Sequence, residues 1–288
     1  MTLVKKNKVV NKISVITVNF NTASYVNKLI KSLQIIDNYI QEIIIIDNNS
    51  NNSQPINTTN KTKIILNGSN LGFSKAVNQG IKVSKSEYIL LINPDCYLEN
   101  SSILQSIQLL IKDNQIGIVG GKIKTSIPNK YHMTANNKAN FMTGLFEFTN
   151  LKKIFPNNYF SKKFWVETKT IHTITQVESI CGAYMLIRKH IGSILNLFDE
   201  RYFLYMEDVD FGNKVNSLGY KVFFDPRSEI VHVGGKSSNS KYNIVLLAWY
   251  ISRKKYFKKH LRPFESLILL AIFSIEEKIL TIIKKIQH

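Results

Sequence analysis

Between residues 13 and 93 the chain alternates β-rich apolar runs with amphipathic segments, and this alternation restricts the fold more than any other feature. "ISVITVNF" (13–20) carries apolar residues on both faces, the pattern of a strand covered on both sides by helices. A helix is expected over about 23–35, with Leu29, Ile30 and Leu33 on one face. "EIIIIDNNS" (42–50) reads as a second buried strand ending in Asp47, "KTKIILN" (61–67) as a third, "GFSKAVNQGIKVS" (72–84) as a helix and "EYILLIN" (87–93) as a fourth strand. Strands alternating with helices require right-handed crossovers, which predicts an α/β fold with a mostly parallel central sheet flanked by helices. Ligands of such sheets gather at the carboxyl ends of the strands.

Asn19, Asn21, Asp47 and Asp95 all stand at or just past expected strand ends, on one rim of that sheet. Capping of the following helix accounts for any one of them; it accounts for the set less readily. Asp95 is the sharpest case, because "LLINPDCYLE" (90–99) turns at Asn93-Pro94-Asp95 where a buried strand reaches water. Its carboxylate either caps the helix expected from near Glu99 or holds a cation at the mouth of the sheet.

"IGIVGGKI" (116–123) is a further buried run, after which residues 124–175 lose periodicity and read as a long surface excursion that orders with a partner. "VESICGAYMLIRK" (177–189) is expected to be a strand whose Gly182-Ala183 admits close backbone approach. A helix over about 207–218, with Gly219 as its C-cap, is followed by two short strands. The expected division is one domain over 1–240, with halves at about 13–122 and 123–240, and a tail over 241–288.

The formal charge of +18 and pI near 9.7 call for an anionic partner: nucleic acid, an acidic membrane surface or a phosphorylated substrate. No nucleic-acid-binding signature accompanies the charge, so nucleic acid is not expected. Cys96 and Cys181 lie far apart and outside CxxC spacing, which argues against a disulfide framework or a zinc site and fits a reducing compartment. The lysines near the N-terminus precede no apolar stretch of signal-peptide length. The longest apolar run, "SLILLAIFSI" (266–275), is roughly half of the ~20 residues that span a bilayer. A cytoplasmic protein, soluble or peripheral, is expected.

"SVITVNFNTASYVNKLIKSL", "IIIIDNNSNNS", "NLGFSKAVNQGI", "YILLINPDCYLE", "CGAYMLIRK", "FLYMEDVDFGNKVNSLGYKVFF" and "IVHVGG" follow one another between residues 13 and 235. In this order and spacing they resemble the inverting glycosyltransferases of family 2, which have the GT-A fold, and especially the bacterial rhamnosyltransferase-like branch. The resemblance implies a nucleotide-sugar donor and a divalent cation, Mn²⁺ or Mg²⁺, at its diphosphate. Asp95 is where that cation would sit. The common Asp-x-Asp pattern is here Asn93-Pro94-Asp95, with one carboxylate, so His232 in "EIVHVGG" becomes the second candidate ligand. Asp208 maps onto the family's base, with Glu207 and Asp210 orienting it or binding the acceptor together with Gly182 and Ala183. Asp47, Asn19 and Asn21 map onto the nucleoside pocket, and Asn70 and Gly72 onto a loop closing over the nucleotide. Asn78 either contacts the sugar or stabilises its helix.

The segment from 252 to 288 carries Arg253, Lys254, Lys255, Lys258, Lys259 and Arg262 ahead of an apolar stripe. From about 264 it reads as an amphipathic helix, suited to lie in a membrane plane with the basic cluster on anionic head groups. The alternative is a helix packed on the catalytic domain or on a second subunit of a homodimer. The membrane reading draws on the resemblance, because relatives of this branch extend lipid-linked glycans on undecaprenyl diphosphate. dTDP-L-rhamnose is the first choice of donor, with UDP-galactofuranose, UDP-galactose and UDP-N-acetylglucosamine open. A nucleic-acid-binding protein is the chief rival from another class, and an inactive scaffold of the same fold is a second rival, against which the presence of Asp95 and Asp208 argues.

Overall fold

The first apolar run forms strand β1 (Ile13–Asn19), in which every residue but Val18 is buried. The computed structural model describes residues 12–51, 54–194, 198–233 and 242–286. β1 pairs in parallel with β2 (Ile40–Asp47) on one side and β4 (Tyr88–Ile92) on the other, and β2 pairs in parallel with β3 (Thr62–Leu66). Helices α1 (Ala23–Leu33) and α2 (Phe73–Val83) supply the crossovers. Successive side chains of a strand point to opposite faces. Ile13, Val15, Ile43, Ile45, Leu90 and Ile92 therefore pack with Val26, Leu29, Ile30 and Leu33 of α1. Ile16, Ile44, Ile46, Ile89 and Leu91 face Ala76, Val77 and Ile81 of α2 on the other side. A slip of one residue would exchange these two sets, so the register that fixes the rim is strongly specified.

The rest of the chain extends this sheet through β5 (Cys96–Tyr97), α3 (Ile103–Lys112), β6 (Ile116–Thr125), β7 (Ala135–Asn136), α4 (Phe141–Glu147), α5 (Leu151–Ile154) and α6 (Tyr159–Phe164). Then come β8 (Thr175–Val177), β9 (Ser179–Ile180), β10 (Tyr184–Arg188), α7 (Lys189–Ile194), α8 (Glu207–Ser217) and β11 (Lys221–His232). The strand order is β3-β2-β1-β4-β10-β6-β11-β5, with β8 on β11 and a separate β7-β9 pair. The sheet is parallel from β3 to β4 and mixed beyond, because β10 runs antiparallel to both β4 and β6.

Two expected elements differ. "VESICGAYMLIRK" is not one strand: Gly182-Ala183 is a turn between β9 and β10. β11 is one strand rather than two, bulged at "DPRSE" where its register against β6 shifts between Asp225 and Glu229. Pro226 has no N–H to donate there, and the buried Asp225 carboxylate accepts from the backbone N–H and guanidinium of Arg227.

The excursion over 124–175 is ordered by the chain's own C-terminal helices, α9 (Tyr242–His260) and α10 (Pro263–Ile286). Phe148 and Phe164 share a core with Tyr256, Phe257, Leu269 and Phe273. Phe148 stacks on Trp249, with ring centroids 5.5 Å apart. Arg253 is buried between α9 and α10, donating to Phe148 O, to Glu276 at 2.7 Å and to Glu277 at 3.2 Å. The C-terminal helices thus pack on the segment 124–175, and Arg253 of the basic cluster takes part in that contact. Asn52, Ser53, Gly234 and Gly235 of the motifs, with the lysines of the first eleven residues and the last two residues of the tail, lie outside the described residues.

Candidate active site

The turn after β4 delivers Asp95 to the rim. Asn93 N donates to Ala183 O at 3.0 Å and Cys96 N to Asn93 O at 3.1 Å, which closes the turn. The chain then runs into β5, where Cys96 pairs with His232 at the end of β11. This pairing sets His232 Nε2 3.0 Å from Asp95 Oδ1, across 137 residues of sequence. Asp95 therefore does not cap α3. It is 2 % exposed and its Oδ2 has no hydrogen-bond partner among the described residues. A buried carboxylate oxygen without a donor is costly, and a carboxylate beside an imidazole nitrogen suits a divalent cation such as Mn²⁺ or Mg²⁺. Cys96 Sγ lies within the same cluster while its side chain is buried in the core. Its thiol donates to Ala183 O at 3.6 Å, and burial, then the charge of Asp95, push its pKa well up. Asp95 and His232 are thus the groups that fit a hard cation. His132 lies beside them, its ring centroid 5.0 Å from that of His232.

The opposite wall comes from α8. Tyr205 (φ 71°) and Met206 (φ 67°) are both left-handed, a conformation that costs roughly 1–3 kcal/mol per non-glycine residue and persists where the surroundings enforce it. Buried Tyr202, Met206 and Val209 anchor this bend in the core that includes Tyr256 and Phe257. The bend turns the first residues of α8 into the cleft. Asp208 Oδ2 accepts from Gly182 N at 3.0 Å and Oδ1 from Val209 N at 2.8 Å. Burial raises the Asp208 pKa and these two amides oppose it. Burial and then the Asp208 charge raise the Glu207 pKa well above the usual range. Glu207 Oε2 is buried without a hydrogen-bond partner among the described residues.

The third side follows β2 and the loop before α2. Asn48 Nδ2 donates to Asn70 Oδ1 at 3.0 Å and to Gly72 O at 3.1 Å. Gly72 has φ 84°, and a Cβ there would stand 2.6 Å from Phe203 O, so only glycine fits. Asn19 Nδ2 donates to Asp47 Oδ2 at 2.6 Å, and Ser50 Oγ accepts from both Asn19 Nδ2 and Asn21 N.

These walls enclose a cavity of about 350 Å³, within the size range of small-ligand sites. Of the residues expected from sequence, Asn70, Gly72, Asn93, Asp95, Gly182, Ala183, Glu207, Asp208 and His232 line it together. Asn19, Asn21 and Asp47 form a hydrogen-bonded knot beside it, at the edge marked by Val18, Phe20 and Asn48. Two residues go elsewhere. Asn78 is 1 % exposed, its amide bonded to Phe198 and Glu200, so it staples α2 to the segment before α8. Asp210 is fully buried against Lys259, His260 and Lys214 and does not reach the cavity. Sequence reasoning missed Asn48, which stands one residue past the Asp47 it singled out. It also missed Phe203, Tyr205 and Val245 of the lining and His132, which no periodicity marks.

Residues 14–175, more than half of the chain, match the family described as "Glycosyl transferase family 2". The chain belongs to that family and is a glycosyltransferase of GT-A fold. It is 22% identical over 232 residues to an N-acetylglucosaminyl-diphospho-decaprenol L-rhamnosyltransferase of Mycobacterium tuberculosis, covering 76% of this chain and 75% of that one. It is 20% identical over 266 residues to the rhamnosyltransferase WbbL of Escherichia coli K12, covering 84% and 93%. Among solved structures it resembles GalNAc-T7 with UDP, GalNAc and Mn²⁺ (TM-score 0.61, 17% identity, 88% of this chain and half of that one). It also resembles the mannosyltransferase PcManGT of Pyrobaculum calidifontis with GDP-Man and Mn²⁺ (TM-score 0.55, 14% identity, 90% and 68%).

Proposed function

We propose that the chain transfers L-rhamnose from dTDP-L-rhamnose to a lipid-diphosphate-linked glycan, in the synthesis of a bacterial cell-surface polysaccharide such as O-antigen or capsule. The observation that carries this reading is one cavity with an unsatisfied, buried Asp95 carboxylate oxygen on one wall and the Asp208 carboxylate on another. The rhamnosyltransferases at 20–22% identity support the sugar, and the decaprenol diphosphate in one of their names supports the acceptor class.

The donor's diphosphate lies against Asp95 and His232, with its nucleoside directed past Asn48 toward Asp47. A divalent cation held by Asp95 and His232 would supply positive charge to the departing diphosphate. Asp208 accepts the proton of the acceptor hydroxyl as that oxygen bonds to the anomeric carbon. The carbon–oxygen bond to phosphate breaks and its electron pair leaves with the nucleoside diphosphate, so configuration inverts. The amides of Gly182 and Val209 hold Asp208 in one orientation throughout. Glu207, whose pKa burial and then the adjacent Asp208 charge push well up, is placed to hydrogen-bond a substrate hydroxyl.

The test is incubation of purified protein with a panel of dTDP-, UDP- and GDP-sugars and a diphosphate-linked acceptor, with Mn²⁺, Mg²⁺ or chelator. Transfer of rhamnose, with inverted anomeric configuration in the product's NMR spectrum, is expected. Transfer from a UDP-sugar alone would overturn the donor, and retained configuration would overturn the mechanism.

The pH dependence follows from the carboxyl pair. Transfer needs Asp208 ionised, so kcat/KM rises with pH, and because burial raises the Asp208 pKa the acid limb lies above the ordinary aspartate range. The Asp208 charge is among the causes that raise the Glu207 pKa, whereas a charge on Glu207 is not among those acting on Asp208. Glu207→Gln should therefore leave the position of that limb unchanged and raise KM for the acceptor. A limb displaced downward in this variant would mean that Glu207 carries charge in the active form.

A further inference from the structure

Helix α10 is apolar on two opposite sides. Its inner face, with Leu269 and Phe273, closes the core against α4 and α9. Its outer face carries Phe264, Leu267, Ile268, Ala271, Ile275 and Ile279, at the 3-4 spacing of a single helical stripe, and all six are exposed. Phe264 is 73 % exposed, Leu267 68 % and Ile275 59 %. The outer face of a helix on a water-soluble domain is ordinarily polar, and large contiguous apolar surface marks an interaction site. α9 continues the pattern: Ile244, Leu247, Ile251, Lys255 and Lys258 fall on one exposed stripe that passes from apolar to basic.

Charge decides what covers this surface. Arg253, Lys254 and Lys259 are paired with carboxylates of the chain itself, Glu276, Glu277, Asp199 and Asp210. Lys255, Lys258, Arg262 and Lys278 stay exposed beside the apolar stripes, and the exposed positions of α9 and α10 include no carboxylate among the described residues. A second copy meeting this face about a two-fold axis would set cations against cations, whereas an anionic lipid surface matches both its basic and its apolar parts. No helix among the described residues is long and apolar enough to cross a membrane, so the contact lies in the plane of the interface. The surface also adjoins the reaction site: Val245, next to Ile244, lines the cavity that holds Asp208.

We propose that the outer face of the α9–α10 pair is a docking surface for an anionic bilayer, and that docking there brings the mouth of the cavity to the membrane. The docking stands on the surface alone, while its use in presenting the acceptor rests on the reading of that acceptor as lipid-linked. Of the six basic residues between 253 and 262, the three not paired with the chain's own carboxylates, Lys255, Lys258 and Arg262, are the ones set against the head groups.

The full chain should sediment with vesicles of phosphatidylglycerol and phosphatidylcholine, and weakly with phosphatidylcholine alone. Leu267→Ser with Ile275→Ser, and separately Lys258→Ser with Arg262→Ser, should each weaken that binding about tenfold or more. All four side chains are exposed, so the melting temperature should stay at the wild-type value, and rhamnose transfer to a short-chain, water-soluble acceptor should be unchanged. Transfer to a long-chain acceptor in vesicles should fall with binding. Vesicle binding unaffected by the Leu267 and Ile275 changes would overturn the proposal. So would a wild-type dimer in sedimentation equilibrium that these changes convert to monomer, because the face would then belong to a second copy. If no sugar is transferred to any acceptor while vesicle binding follows the variants as stated, the docking surface holds and the proposed reaction fails.

Discussion

Asp208→Asn is expected to lower kcat by about 10²- to 10⁴-fold, the usual worth of a positioned general base. The amide has the shape of the carboxylate, but its single oxygen keeps only one of the two bonds that Gly182 N and Val209 N make to separate oxygens of Asp208, at 3.0 and 2.8 Å, a loss small beside the overall packing of α8. The fold and the donor site should therefore survive, and binding of the nucleoside diphosphate, measured by calorimetry, should stay within a few-fold of wild type. What is lost is the acceptor for the proton released when the hydroxyl attacks. Transfer at the wild-type rate by this variant would place the base elsewhere in the cavity, with Glu207 the remaining carboxyl near it.

Asp210→Ala should cost about 3–5 kcal/mol of stability, the range found when one partner of a buried ion pair is removed. Asp210 is fully buried and binds His260 Nε2 at 2.7 Å, Lys259 Nζ at 2.7 Å and Lys214 Nζ at 3.4 Å. It thereby ties α8, two residues from Asp208, to the end of α9. A fall in melting temperature of roughly 5–15 °C follows from that cost, with a loss of kcat as the first turn of α8 loosens. Burial alone would raise the Asp210 pKa, but His260 and Lys259 outweigh it and hold the pKa below the ordinary value. The stabilisation is then present above the ordinary aspartate pKa and lost as pH falls through the lower, folded one. The gap between wild-type and variant melting temperatures should narrow on acidification. An unchanged melting temperature with only a raised acceptor KM would restore Asp210 to the acceptor contact that the family resemblance implies.

The parts of the site that sequence reveals are those set by local pattern. Asp95 and Asp208 are visible because each breaks an expected rule: a carboxylate at the end of an apolar strand, and three acids at one helix start. The continuous apolar runs of β1, β2 and β4, joined through helices into a parallel sheet, fix which rim those strand ends share. Contacts made by distant segments are not visible in this way. Nothing near Phe148 announces that Trp249 and Phe257 will cover it, so the stretch 124–175 reads as partner-dependent when its partner is the same chain. Asp210 carries the same acidic signal as Asp208, and only the register of α8 against α9 turns one toward the cavity and the other toward Lys259. The two-sided apolar character of α10 was present in the run 266–275, but which side faces outward depends on where α4 and α9 lie.

The departing diphosphate and the base are expected on opposite walls of the one cavity. A crystal structure of Asp208→Asn with dTDP-L-rhamnose and Mn²⁺ tests that placement most directly. The diphosphate should lie within metal-bridged reach of Asp95 and His232, with the anomeric carbon open toward residue 208. Phosphates docked more than ~10 Å from Asp95, far outside hydrogen-bonding distance, would contradict it.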